Sequence, residues 1–231
     1  MKNYPFVNPI IVNSENVIID GQHRNEVCKQ FGVEPNFIKI NFTSEELKSE
    51  AAQKEIQSIK SVQKKKLEKF FKENKTDFRD QISLCSSDDK FYYFLMYKEK
   101  FTSDKLFWKT LGDVYVLSSN NYKYRNEINK FFKSERKYRE FVMTEEENKI
   151  FHKLNDKVKI YRGMSEVESY SECYGISWTL KFEISNMFAT TYIHNYDTTS
   201  QNHIVKELLV DKKNIIAYFN RRSEEEIIYM P

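Results

Sequence analysis

The sequence predicts an α+β protein: a small N-terminal α/β unit, a helical middle, and a strand-rich C-terminal part. Three observations predict it. Near the N-terminus, two β-branched runs flank a polar tetrapeptide. Through the middle, apolar residues recur at three- and four-residue steps behind capping signals. After Asn155, the texture turns to short β-branched runs. The 231 residues fit one large domain or two small ones. Their 18 Phe, 15 Tyr and 2 Trp supply the area for a packed core despite a mean hydropathy of −0.70.

From Asn8 to Asp20 the chain reads NPIIVNSENVIID, and Asn13-Ser14-Glu15-Asn16 between IIV and VII is a hairpin signal. A helix over Arg24–Phe31 ends at Gly32, a residue favoured just past a helix C-terminus, and Phe37–Asn41 follows as a strand, completing a β-β-α-β unit. Thr43 and Glu46 form a capping box. Leu47, Ala51, Ala52, Ile56, Ile59, Gln63, Leu67, Phe70 and Phe71 then trace one long amphipathic helix, or two, to about Lys75. Seven lysines against two glutamates between Lys60 and Lys75 make a phosphate-binding stripe or, more simply, a solvated helix face. Helices are expected at Lys90–Lys100, Asp104–Leu111 and Tyr124–Phe132, and behind a second capping box, Thr144 with Glu147. FYYFLMY at Phe91–Tyr97 should build their core. Strands are expected at VKIY before Arg162, Gly175–Trp178, His203–Val210, Asn214–Phe219 and Glu226–Tyr229, with helical spacing at Phe182–Thr191. The expected segmentation is therefore 1–42 as the N-terminal unit, 43–76 as a helical linker, and 77–231 as the C-terminal domain.

Composition narrows the function classes. No apolar run approaches the roughly 20 residues a bilayer span needs, and MKNYPFVNPIIVN lacks the pattern of a secretory signal, so a cytoplasmic protein without a membrane partner is expected. Cys28, Cys85 and Cys173 are odd in number and widely spaced. They read as free thiols, with no metal site. A net charge of +3, from 37 Lys+Arg against 34 Asp+Glu, is too small to imply nucleic acid by itself.

Three segments carry chemistry in their order: Tyr161-Arg162-Gly163 at a strand end, Gly175-Ile176-Ser177-Trp178-Thr179 at the start of another strand, and Glu224-Glu225-Glu226 leading into Ile227-Ile228-Tyr229. Singly these are an ordinary strand-end arginine, a polar strand and a solvated turn. Together they resemble the arginine–serine–glutamate class of ADP-ribosyltransferases, in which an aromatic-Arg-Gly strand, a Ser-x-Thr/Ser strand and a Glu-x-Glu pair surround NAD. SWTLKFEISNMFA and EEEIIYMP are similar to the serine strand plus helix, and to the closing strand, of phage- and bacterium-encoded members. The resemblance covers roughly 107–231 and implies a C-terminal split β-sandwich. Arginine at position 162 speaks against the diphtheria-toxin-like branch, which opens with histidine.

The chemistry of that site follows from the residues it implies. Cleaving the nicotinamide–ribose bond develops an oxocarbenium-like cation, so Glu226 is expected to stabilise it as carboxylates do in glycoside cleavage. Glu224, two residues earlier on an extended chain, would project to the same side and prepare an acceptor nucleophile, with Glu225 pointing away. The planar fork of Arg162 suits the pyrophosphate or adenosine-ribose end of NAD, and Gly163 lets backbone approach the nicotinamide amide. Ser177 and Thr179 share a strand face. By the resemblance, Ser177 holds the nicotinamide ribose or positions Glu226, while Trp178 faces the core.

At the other end, IIDGQHR (Ile18–Arg24) resembles the ParB/sulfiredoxin-like fold, which implies a nucleotide phosphate held by Gly21, His23 and Arg24 at a helix N-terminus. The match spans about 25 residues of a truncated unit, without the arginine-rich loop or helix-turn-helix that would read DNA; Cys28 does not sit where the reductase cysteine of sulfiredoxin would be. The expected function is mono-ADP-ribosyl transfer from NAD to a macromolecular acceptor, a protein arginine on the Glu-x-Glu form, with nucleic acid as the other acceptor. A phage-encoded member would act on a host protein in the host cytoplasm. The alternatives are NAD hydrolysis and a ParB-like nucleotide-binding, DNA-associated regulator.

Overall fold

In a computed structural model of the protein, residues 9–32, 34–119, 121–171, 174–192 and 203–230 are described. The chain divides into two units, Met1–Ser86 and Ser87–Pro231. The boundary lies beyond the 77 expected, because residues 43–76 are part of the first unit rather than a linker.

In the first unit, β1 (Ile10–Val12) pairs antiparallel with β2 (Ile18–Asp20) and parallel with β3 (Phe37–Lys39), in the order β2-β1-β3. The hairpin closes because the Asn13 side-chain oxygen accepts the backbone N–H groups of Glu15 (3.0 Å) and Val17 (2.8 Å). Helix α1 (Gln22–Phe31) ends at Gly32, whose left-handed φ of 63° turns its N–H back to the carbonyls of Cys28 and Lys29. The Thr43–Glu46 box forms, with Glu46 accepting the Thr43 N–H at 2.8 Å, yet it opens only a 3₁₀ turn at Glu46–Lys48. The chain is extended at Ser49, whose hydroxyl accepts the Ala52 N–H and starts α2 (Glu50–Glu73). Ile56 of that helix is buried with Ile11 and Ile40, and this shared core is what joins 43–76 to the sheet. Asp77 caps a further helix, α3 (Phe78–Leu84), which was not among the expected elements.

The second unit begins with α4 (Lys90–Tyr97), α5 (Asp104–Leu117), α6 (Arg125–Phe132) and α7 (Glu145–Lys153). As expected, Phe91, Tyr93 and Phe94 are core residues. The Phe94 ring sits 5.3 Å from Phe107 and 5.6 Å, edge to face, from Phe131. The capping box at Thr144 and Glu147 is complete.

The strands that follow are β4 (Lys157–Ser165), β5 (Ser177–Thr179), β6 (His203–Asp211), β7 (Ile215–Phe219) and β8 (Glu226–Tyr229). They form an antiparallel sheet in the order β6-β4-β5-β8-β7. Helix α8 (Glu166–Ser171) lies between β4 and β5 in sequence, and α9 (Phe182–Met187) runs on as a π-helical turn, Phe188–Tyr192. Pairing is uneven. β4 keeps register with β6 along its whole length, from Lys157↔Asp211 to Ser165↔His203, but meets β5 only at Tyr161↔Thr179. Past that bridge β4 and β5 pair no further, and Arg162, Gly163 and Ser177 border the seam between them.

Candidate active site

Glu226 opens β8 with Thr179 on one side and Phe219 on the other. It is 6% exposed. Its Oε1 accepts two hydroxyls: Ser177 Oγ at 2.5 Å from β5, and Tyr115 Oη at 2.9 Å from α5. On its other oxygen, Oε2, the Arg222 guanidinium approaches to 3.8 Å. Burial raises the Glu226 carboxyl above its ordinary value, and nearby Glu224 adds to this. Ser177, Arg222 and Tyr115 act in the opposite sense by favouring the carboxylate. The Tyr115 hydroxyl is itself driven well above its ordinary value by burial and by the Glu226 charge, so it stays a donor. The result is a desolvated carboxylate with one oxygen fixed by two donors.

The pairing of Glu224 with Glu226 arises differently from the expectation. The strand begins only at Glu226, and Glu225 has a left-handed φ of 45°, so the two-residue period of an extended chain does not apply. Arg222 brings the pair together instead, its Nη2 lying 3.0 Å from Glu224 Oε2 and 3.8 Å from Glu226 Oε2. Glu225 does turn away, to Lys181 at 2.9 Å. The turn is pinned by Arg221, which donates to Asp113 (2.7 Å), to the Val142 carbonyl (3.0 Å) and to Glu147 (3.2 Å), itself only 3% exposed. Thr179, expected near NAD, donates its hydroxyl to the Glu224 carbonyl at 2.6 Å and so anchors the same turn.

Arg162 borders the seam, but its fork is occupied. Nε and Nη2 pair with the two oxygens of Glu168 at 2.8 and 3.3 Å, and Nη1 donates to the Ser177 carbonyl at 2.7 Å. That carbonyl needs a partner. Tyr229 N–H goes to Ile176 and Leu180 N–H to Glu225, which leaves Ser177 facing β4 across the open seam. The arginine expected on pyrophosphate is thus the brace that spans the seam. Gly175 makes room for it, since a Cβ there would run into the guanidinium. Gly163 also differs from expectation: a Cβ on it would strike the Ser185 carbonyl and the Ala189 nitrogen, so the glycine serves close packing of β4 on α9 and its π turn. Trp178 is core, as expected, with its indole N–H on the Gly175 carbonyl at 3.0 Å.

In the first unit, Gly21 precedes α1 with a φ of 100°. Arg24 reaches back to Asp20 at 2.8 Å and to the Pro9 carbonyl at 3.3 Å. A carboxylate therefore already holds the arginine expected to bind phosphate. His23 lies in α1, with its side chain outside the described residues, as is the whole of Cys173. Cys28 and Cys85 are buried thiols in no disulfide among the described residues.

Sequence reasoning missed Tyr115, Glu168 and Arg222. Tyr115 carried no signal, being one aromatic among many on an apolar helix. Arg222 carried no positional signal either, because a four-residue spacing brings side chains together on a helix, whereas residues 222–226 form a turn entering β8. Among the described residues, no His, Cys, Asp or Glu cluster is arranged to hold a metal ion, and no helix is long and apolar enough to cross a membrane. Compared with family models, curated proteins and solved structures, the chain finds no match.

Proposed function

We propose that the protein is a mono-ADP-ribosyltransferase that transfers ADP-ribose from NAD to a macromolecular acceptor, with its second unit the ADP-ribosyltransferase-like domain of split β-sandwich type. The reading rests on the buried Glu226 carboxylate, held at one oxygen by Ser177 and Tyr115 beside the seam where β4 and β5 part. A preorganised anion of this kind stabilises the cation that forms at C1′ as nicotinamide leaves, and does so more strongly where water is excluded. Ser177 is the positioning group for that anion. Glu224 is the general base that takes a proton from the acceptor. The acceptor is a protein arginine, a guanidinium being the cation that a Glu224–Glu226 pair attracts, and the setting is a cytoplasm, the host's if the chain is phage-encoded.

The test is incubation with adenine-labelled NAD and a cell lysate, followed by separation of protein from nucleic acid. Label on protein arginine is expected, with loss in Glu226→Gln. Label confined to nucleic acid would overturn the protein acceptor, and nicotinamide release without any labelled macromolecule would reduce the activity to NAD hydrolysis.

A further inference from the structure

Arg222 occupies the position between the two carboxylates that the proposed transfer reserves for an acceptor guanidinium. Its Nη2 is 3.0 Å from Glu224 Oε2 and 3.8 Å from Glu226 Oε2. The other arginines of the site are engaged elsewhere. Arg162 is closed by Glu168 and the Ser177 carbonyl, and Arg221 by Asp113, Glu147 and the Val142 carbonyl. Arg222 pairs with the two carboxylates and keeps its side chain 33% exposed. The backbone around it is fixed, because Arg221 anchors one side of the turn and the Thr179 hydroxyl holds the Glu224 carbonyl on the other. A nucleophile tethered in that way needs no encounter step, which is a large advantage over any acceptor arriving from solution.

We propose that Arg222 is itself an acceptor: the protein transfers ADP-ribose from NAD to Arg222 Nη2 within the same chain, an inference that rests on the transferase reading of Glu226 and Glu224. The C1′–N bond to nicotinamide breaks, its electron pair leaving with nicotinamide as a neutral molecule. A C1′–Nη2 bond forms from the guanidine electron pair. The guanidinium surrenders one proton, taken by the Glu224 carboxylate and then by water. Nothing is oxidised or reduced, and NAD is the only co-reactant. The product stays attached to the turn that leads into Glu226.

The experiment is to incubate the purified full chain with adenine-labelled NAD alone, following nicotinamide release and intact mass together and mapping the modified peptide by fragmentation that preserves the linkage. The expected result is nicotinamide release accompanied by one ADP-ribose per chain on Arg222, and a labelling rate per chain that does not change on tenfold dilution of the protein. Arg222→Lys should lose the label, and circular dichroism of that variant checks that it is folded. Nicotinamide release with an unmodified chain, label mapped to another residue, or a labelling rate that falls with dilution overturns self-modification, and label on lysate protein in a parallel incubation keeps the transferase reading standing. No nicotinamide release with or without lysate overturns both.

Discussion

Tyr115 and Glu226, 111 positions apart in sequence, meet through a hydrogen bond of 2.9 Å that joins a helix of the aromatic core to the first residue of the last strand. The tyrosine is held there by its ring, 5.7 Å from Phe132 and 5.5 Å from Phe219. The carboxylate is thus held from the core by Tyr115, together with Ser177 of β5 and Arg222 of the turn that leads into it.

Tyr115→Phe keeps the ring and removes the donor. A hydrogen bond to a charged group contributes about 1.5–3 kcal/mol, so nicotinamide release should fall about 10- to 100-fold. Losing a donor to the charged form raises the Glu226 carboxyl further. The acid limb of the pH–rate profile should therefore move to higher pH, which a merely structural role for Tyr115 would not produce.

Glu226→Gln isolates the cost of burying the charge. The folded-state value of Glu226 is raised, so its contribution to stability is fully present below its unfolded value and is lost as pH rises through the folded one. Thermal unfolding should therefore show the glutamine variant gaining on the wild type as pH rises from about 4 to about 7. A constant difference across that range would mean the group is not desolvated.

Arg162→Lys leaves a charge beside Glu168 but cannot match its two oxygens and the Ser177 carbonyl together. A loss of about 1–3 kcal/mol in denaturant unfolding is expected. Combined with Glu168→Gln, the double variant should cost less than the sum of the two single ones, since they break the same contact.

Gly163→Ala should destabilise by about 1–3 kcal/mol, because its Cβ meets backbone atoms of Ser185 and Ala189 that cannot move independently of α9 and its π turn. If the variant unfolds like the wild type, the close packing of β4 on that segment is wrong.

Much of this was legible in the sequence, for local reasons. β-branched runs placed the strands, EIIY matching β8 residue for residue, and Thr144 with Glu147 placed the start of α7. The Thr43–Glu46 box misled by one turn, because Ser49 offers a competing cap and the chain takes the second. At the site, Ser177 and Glu226 were placed by their motifs. Ser177 was expected to position Glu226, and the β5–β8 pairing brings the two together, whereas the bracing role of Arg162 depends on a seam that exists only where β4, paired along its whole length with β6, meets β5 at one bridge. Strand pairing of that range leaves no mark on local spacing. The Glu224–Glu226 pair was read from strand periodicity, whereas a left-handed Glu225 and the reach of Arg222 create it.

The most direct measurement is the rate of nicotinamide release from NAD by the purified wild type and by Glu226→Gln, with folding of both checked by circular dichroism. The wild type is expected to release nicotinamide, and the variant about 100-fold or more slowly, in keeping with loss of an electrostatic stabiliser. Equal release by the two folded proteins, or none by the wild type with lysate present, would contradict the assignment of Glu226 as the group that carries the chemistry.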